Sequence, residues 1–214
     1  DLNKRRDIII ESALKHVAFD GWSNSALIQG AIEVGFPDNM VQRAFPNGMS
    51  EVIDHFADWS DRRMVAALGS QSLDAMKIRQ RIHACVKTRI QINALHKEAI
   101  RRLLSYFALP MNTPLAARLT WRSCSVMWYE AGDRSADWNH YTKRGLLASV
   151  YSTTLLYWMS DGGDDEGDFP ETWAFLDRRI SDVLKIFTLP YQLKSKLSSL
   201  PKTFLSSAGY RPRY

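Results

Sequence analysis

The sequence predicts an all-α protein. Apolar residues recur three and four positions apart along most of the 214-residue chain, and the alternating pattern typical of β-strands is scarce. Hydrophobic residues make up 45% of the chain and charged residues 24%, which is typical of a globular protein and argues against a disordered one. A chain of this length can bury a sizeable core.

The first part of the chain is predicted to contain four helices, over residues 4–19, 25–34 and 37–44 and from residue 50 onward. Ile9 and Val17 lie on an apolar stripe of the first helix, which Asp20 and Gly21 end. Gly35 separates the two short helices that follow. This order of helices predicts a small helix-turn-helix unit.

The middle of the chain continues with helical spacing over residues 73–104, interrupted near residues 95–97. Thr113 and Pro114 then have the pattern of a helix start. We expect Thr113 to be the N-cap and Pro114 to occupy the first helical position.

The last part of the chain is predicted to form a helix over residues 137–160, a glycine-rich acidic loop over 161–168 and a further helix. Apolar residues of that further helix form a seam for packing against another helix: Trp173, Leu176, Ile180, Val183 and Phe187. Three regions follow from this order, a helix-turn-helix unit, a larger helical bundle and a tail, over residues 1–60, 61–188 and 189–214.

The net charge of +5 comes entirely from the C-terminal end. Residues 1–182 carry 22 basic and 23 acidic groups, whereas the six basic and no acidic groups after Asp182 give the chain its positive balance. Residues 1–60 hold five basic groups against nine acidic ones. The basic excess therefore does not lie where the helix-turn-helix unit would meet DNA.

The N-terminal unit resembles the start of the TetR family of regulators, on residues Ala13-Leu14, Gly21, Ala26-Leu27, Gly35 and Phe45. In that family the third helix enters the major groove. Here that helix offers Asp38 and one arginine, Arg43, whereas DNA binding requires basic side chains that neutralise phosphates. We therefore expect no nucleic-acid partner, and a ligand-sensing TetR-type repressor remains the alternative.

The tail has the pattern of an amphipathic helix. Leu189, Leu193, Leu197, Leu200 and Phe204 fall within about an 80° arc at helical spacing. Lysines surround this stripe, as in helices that lie on anionic membranes. We expect membrane contact through Leu193, Lys194, Lys196, Leu197, Leu200 and Phe204. Packing on the protein itself or on a partner chain is the alternative, and Pro201 would kink or end the helix.

Aromatic and methionine side chains are dense between residues 111 and 159. Such side chains can line an apolar cavity for an uncharged ligand, and a plain aromatic core is the alternative interpretation. The residues expected to line a lipid-binding pocket are Met111, Trp121, Met127, Trp128, Leu147 and Tyr151.

The sequence contains no recognisable catalytic motif. It has no glycine-rich phosphate loop, and its five histidines are dispersed without the spacing of a zinc or di-iron site. Cys85 and Cys124 lie far apart, so neither a disulfide framework nor a nucleophile is indicated. We therefore expect no catalytic residue, metal or cofactor, with an unrecognised enzyme acting on a lipid as a further alternative.

A dense block of residues between 127 and 184 resembles a ubiquinone-biosynthesis accessory family with a TetR-like fold. The resemblance rests on Met127-Trp128-Tyr129, Ala131-Gly132-Asp133, Asp137, Asn139, Tyr141-Thr142, Arg144, Val150-Tyr151 and the segment 169–180. It implies a homodimer that binds isoprenoid quinone precursors and presents them to the di-iron hydroxylase of demethoxyubiquinone. It also implies attachment to the matrix face of the mitochondrial inner membrane, or to the cytoplasmic face of a bacterial membrane.

The resemblance implies a surface for the hydroxylase at Met127, Trp128, Asp137, His140, Tyr141 and Arg144. His140 departs from the family pattern, in which an aromatic residue often stands at this position. An internal ion pair of Arg144 with Asp133 or Asp137 is the alternative for the arginine. The dimer seam is expected to be a four-helix contact of the 137–160 and 170–187 helices.

Overall fold

A computed structural model of the chain describes residues 1–133 and 138–198, with side chains described for 1–133 and 141–185. In these ranges the protein consists of α-helices and 3-10 turns without a β-strand, which confirms the predicted fold class. The helices are α1 Leu2–Asp20, α2 Asn24–Glu33, α3 Met40–Ala44, α4 Met49–Leu68, α5 Ile78–Gln91, α6 Lys97–Phe107, α7 Thr113–Glu130, α8 Trp138–Ser160 and α9 Pro170–Ser198.

The helix-turn-helix unit is built on a close contact between α1 and α2. A Cβ atom on Gly30 would lie 2.6 Å from the backbone nitrogen of Ala13, so only glycine permits this approach. The Ser23 hydroxyl accepts a hydrogen bond from the Ala26 N–H at 3.2 Å and caps α2. Gly21, with φ of 68°, turns the chain between the two helices.

The N-terminal unit shares one apolar core with the rest of the bundle. The ring of Trp22 packs at a tilt against Phe56 of α4, with centroids 4.9 Å apart, and its Nε1 donates to the Ala99 carbonyl of α6 at 3.0 Å. The boundary expected after residue 60 lies inside α4, because this helix extends to Leu68 and packs on both parts of the chain.

The expected break in the middle region is present, but the start of α7 differs from the prediction. The 3-10 turn Ala94–His96 separates α5 from α6. A second 3-10 turn, Pro110–Asn112, runs directly into α7, so Thr113 is its first helical residue rather than its N-cap. The preceding turn supplies the entry into the helix, and no side chain caps it.

The acidic loop between α8 and α9 organises the start of the last helix. Asp161 accepts hydrogen bonds from the Thr172 N–H at 3.0 Å and from the Thr172 hydroxyl at 2.6 Å. Asp168 accepts one from Trp173 Nε1 at 2.7 Å. These hydrogen bonds attach the loop to the first turn of α9.

Helix α9 is continuous from Pro170 to Ser198, so the boundary expected after residue 188 falls inside it. Leu193, Lys194, Lys196 and Leu197 of the predicted membrane-binding set lie on α9 beyond the described side chains, and Leu200 and Phe204 lie outside the described residues. Within the part of the chain that the structure describes, no helix has the length and hydropathy needed to span a bilayer.

Candidate lipid-binding site

A polar cluster is buried where α4, α5 and α7 meet. Arg89 Nε donates a hydrogen bond to Asp61 at 2.8 Å, and the Ser123 hydroxyl lies 2.8 and 2.9 Å from the two oxygens of the same carboxylate. The side chains of Arg89 and Asp61 are 7% and 6% exposed. A buried charge is tolerated only when it is paired and hydrogen-bonded, and here both conditions hold.

Tyr151 of α8 lies beside this polar cluster. Burial raises the pKa of its phenol, and the positive charge of Arg89 opposes that shift without cancelling it. Cys124 lies nearby, and burial raises the pKa of its thiol to about 12. The tyrosine and the cysteine are therefore both neutral near pH 7, and Cys124 lacks the thiolate that a nucleophile requires.

Beside this cluster lies a cavity of about 220 Å³, here called the enclosed cavity, which α4, α5, α6, α7 and α8 surround and which is open to solvent on one side. Its wall is mainly apolar, with Phe56, Ile100, Leu103, Phe107 and Leu155. Arg89, Asn93 and Tyr151 add polar groups to the same wall. Ligand-binding cavities typically combine an apolar wall with a few polar groups that orient the ligand.

The six residues expected to line one lipid pocket do not lie together. Tyr151 faces the enclosed cavity, whereas Trp128 and Leu147 line a separate, more open cleft of about 560 Å³ between α5, α7, α8 and α9. Met127 is fully buried in the core, and Met111 is 82% exposed in a 3-10 turn. A window of aromatic and methionine residues in the sequence thus spreads over several faces of α7 and α8.

The sixth residue, Trp121, lies at the surface. It stacks on Tyr141 with ring centroids 6.0 Å apart, and the two side chains are 36% and 61% exposed. This pair joins α7 to the beginning of α8 and contains one residue of the expected partner surface. Trp128 is half-buried, and its Nε1 donates to the Lys143 carbonyl at 3.1 Å.

Two other residues of the expected partner surface are buried. Arg144 is 5% exposed, lies 3.7 Å from the Asp133 carboxylate and donates to the Ser125 hydroxyl at 3.1 Å. This is the internal ion pair that the sequence left open as the alternative. Met127 is fully enclosed, so in this structure neither side chain presents a surface to a partner.

The remaining two residues of that surface lie where the structure describes no side chains. Asp137 lies outside the described residues, and His140 belongs to α8 at a position where side chains are not described. Of the six expected residues, the structure therefore presents Tyr141 as exposed and Trp128 as partly exposed.

The residues of the enclosed cavity that the sequence analysis missed come from α4, α5 and α6. No clear signal in the sequence marked them, because residues 82–92 mix apolar residues with His83, Lys87, Arg89 and Gln91. No cluster of histidine, cysteine and carboxylate side chains suited to a metal ion occurs among residues 1–133 and 141–185.

The helix-turn-helix unit has little positive charge at its candidate recognition helix. Met40, Val41 and Ala44 of α3 are buried, and Arg43 is the basic residue of this five-residue helix. Helix α2 contains no lysine or arginine. The charge distribution noted in the sequence thus carries over to the folded unit.

Comparisons with known proteins agree with this architecture. A solved structure titled as a TetR transcriptional regulator from Nitrosomonas europaea ATCC 19718 superposes with a TM-score of 0.65 and 19% identity, covering 84% of this chain and 97% of that one. At this identity the similarity concerns the fold. The chain therefore has an all-α, TetR-like fold.

The family follows from the sequence comparisons. Residues 113–186 match the COQ9 family model. Over 207 residues the chain is 32% identical to the mitochondrial ubiquinone biosynthesis protein COQ9 of Rattus norvegicus and 31% identical to that of Homo sapiens. These matches cover 94% of this chain and 65% and 64% of the relatives. The resemblance noted in the sequence is confirmed: residues 113–186 match the COQ9 family model, and the chain is similar to COQ9 proteins over nearly its whole length.

Proposed function

We propose that this protein acts in ubiquinone biosynthesis as a non-catalytic accessory protein that binds an isoprenoid quinone precursor. The observation that carries the proposal is the enclosed, mainly apolar cavity of about 220 Å³ beside the buried cluster of Asp61, Arg89 and Ser123. The COQ9 relatives, which are named as mitochondrial ubiquinone biosynthesis proteins, support the same pathway and a mitochondrial location.

The cavity has the size of a ring or of a short prenyl segment. A dry apolar cavity of about 150 Å³ is large enough to bind benzene. Leu103, Phe107 and Leu155 offer apolar contact, and Leu156 at the cavity wall is 58% exposed. The remainder of a prenyl tail would leave past these side chains. Each methylene group kept from water contributes about 0.8 kcal/mol, so the protein lowers the cost of taking such a lipid from the bilayer.

The precursor is then presented to the di-iron hydroxylase that acts on demethoxyubiquinone. The stacked pair Trp121 and Tyr141 supports this step, because exposed aromatic side chains are the residues on which protein interfaces most often depend. The basic tail holds the protein at an anionic membrane surface, on the matrix side of the inner membrane. Helices α8 and α9, which pack on each other, form the homodimer seam.

The chemistry belongs to the hydroxylase in this proposal. Burial raises the pKa of Cys85, as of Cys124, to about 12, so both thiols stay protonated near pH 7. The carboxylate of the buried cluster, Asp61, is already held by Arg89 and Ser123. These groups orient the lipid and exclude water, and they do not transfer protons.

Mass spectrometry of lipid that co-purifies with the native protein tests the proposal. We expect an isoprenoid quinone or its precursor, and we expect Leu103→Trp, which fills the enclosed cavity, to abolish its capture. Leu146→Trp is the matched control, because Leu146 lines the separate open cleft. Absence of isoprenoid lipid from the native protein, or its loss only in Leu146→Trp, would contradict the proposal.

A further inference from the structure

Two buried polar atoms on residues that line the enclosed cavity have no hydrogen-bond partner among the described residues. They are Oδ1 of Asn93 and Nε1 of Trp158, on residues that are 2% and 0% exposed. One is an acceptor and the other a donor. Buried polar groups in folded proteins are nearly always hydrogen-bonded, so each such exception requires an explanation.

The orientation of Asn93 is fixed by its own amide group. Its Nδ2 donates to the Arg89 carbonyl at 3.1 Å, which identifies the other amide atom as the oxygen and leaves it as the unsatisfied acceptor. The side chain follows α5 by two residues and lies about one helical turn beyond Arg89. The polar cluster around Arg89 and the unsatisfied pair thus form two polar regions in one apolar cavity.

An unsatisfied acceptor distinguishes between the oxidised and reduced forms of a quinone ring. A quinone carbonyl can only accept a hydrogen bond, so it could satisfy Trp158 Nε1 and would leave Asn93 Oδ1 without a donor. A hydroxyl group both donates and accepts. One acceptor and one donor without partners are therefore the groups that a hydroxyl-bearing ring can satisfy.

We propose that the enclosed cavity takes the ring of its lipid first and selects a hydroxyl-bearing ring, a quinol or a phenol, over the quinone. The ring hydroxyl donates to Asn93 Oδ1, an oxygen of the ring accepts from Trp158 Nε1, and the prenyl tail leaves past Leu155 and Leu156. This inference rests on the proposed function, because it specifies the ring of the isoprenoid lipid that the protein binds.

The size of the cavity agrees with this arrangement. A volume of about 220 Å³ accommodates a substituted six-membered ring but not a long prenyl chain, so the ring is the part of the lipid that can be enclosed. With the ring inside, the apolar side chains Phe107, Leu155 and Leu156 face the first part of the tail. The reverse orientation would place the tail against the buried charge of Arg89.

The test is a binding titration of the full chain under anaerobic conditions with three probes that carry the same short prenyl tail. They are a prenylated benzoquinone, its reduced quinol and the prenyl hydrocarbon alone. We expect the quinol to bind about tenfold more tightly than the quinone, and the hydrocarbon to bind most weakly. In Asn93→Leu, which keeps the shape and removes the acceptor, we expect the quinol to lose its advantage while hydrocarbon binding is unchanged.

Asn112→Leu is the matched control, because Asn112 also donates its amide to a backbone carbonyl, at 2.9 Å to Tyr106, but lies outside the cavity wall. A second variant, Trp158→Phe, removes the donor and is expected to weaken the quinone and the quinol alike. Equal affinity for quinol and quinone in the native protein, or a preference that survives in Asn93→Leu, overturns the inference and leaves the proposed function standing. Absence of binding for all three probes overturns both.

Discussion

Asp61 and Arg89 form an ion pair of 2.8 Å inside the apolar core, with 6% and 7% of their side chains exposed. Breaking such a pair leaves an unpaired buried charge. We expect Arg89→Met to lower the free energy of unfolding by about 3–5 kcal/mol, measured by urea denaturation. Lys15→Met is the control, since Lys15 pairs with Glu33 at the surface and its loss should cost much less. Equal effects of the two changes would contradict the structure.

The contact between α1 and α2 depends on the absence of a side chain at position 30. Because a Cβ atom there would meet the backbone of Ala13 at 2.6 Å, we expect Gly30→Ala to destabilise the protein by about 1–3 kcal/mol. Gly145→Ala on α8, where no atom lies within 4 Å of the added carbon, is expected to stabilise it by about 0.5–1 kcal/mol. Thermal unfolding of both variants measures the difference, and the same sign for both would be inconsistent with this packing.

The two aromatic residues of the surface pair can be separated from the buried arginine. We expect Tyr141→Ala to weaken capture of the hydroxylase about tenfold or more and to leave the melting temperature and lipid content unchanged, since the side chain is 61% exposed. Arg144→Ala should instead lower the melting temperature, because it removes a buried ion-pair partner of Asp133 and the hydrogen bond to Ser125. Phe19→Ala, at an 83% exposed position on α1, is the control for a lost surface aromatic. Unchanged capture by Tyr141→Ala would show that the partner surface lies elsewhere.

The basic tail is expected to be required for membrane contact. Deleting residues 189–214 should abolish flotation with anionic liposomes while circular dichroism still shows a helical protein. The double change Lys194→Glu and Lys196→Glu should weaken flotation, more at low than at high salt, because charge attraction to the lipid surface is screened. The same reversal at Lys4 and Arg5 serves as the control. Flotation that persists after the deletion would refute the membrane role of the tail.

The start of α9 is expected to be sensitive to acid. The hydrogen bond from Trp173 Nε1 lowers the pKa of Asp168 below its usual value of 3.8. A carboxyl group with a lowered pKa in the folded state contributes stability above its unfolded pKa and loses that contribution as the pH falls through the folded value. We therefore expect Asp168→Asn to reduce the pH dependence of stability below about pH 4. Asp165→Asn in the same loop is the control, and an identical acid profile for Asp168→Asn and the native protein would contradict this role.

Local patterns in the sequence predicted most helices closely. The apolar stripe of α1 with Gly21 after it, the break near residues 95–97 and the glycine-rich acidic loop all correspond to features of the structure. The start of α7 was misplaced by one residue, since a 3-10 turn and an N-cap have similar sequence patterns. The predicted boundaries at residues 60 and 188 fall inside helices because changes in charge and composition do not interrupt backbone hydrogen bonding.

The candidate site could be predicted from the sequence less well than the helices could. Tyr151 is the one pocket residue of the expected six that faces the enclosed cavity, because the cavity wall combines residues from five helices that are distant in sequence. Helical spacing places Tyr141 and Arg144 on one face, yet the structure exposes the tyrosine and buries the arginine against Asp133. The burial of a side chain depends on which neighbouring helix covers it, and spacing within one helix does not contain that information.

The amino-acid sequence by itself determined the helical fold class, the resemblance to COQ9 proteins and the concentration of positive charge in the tail, since these depend on periodicity, local motifs and composition. The tertiary structure alone decided where an enclosed space remains, which charges are paired inside it and which polar atoms, Asn93 Oδ1 and Trp158 Nε1, lack partners among the described residues. The physical reason is that cavities and hydrogen-bond satisfaction arise from the packing of several helices together, whereas helix formation follows from the sequence of each helix.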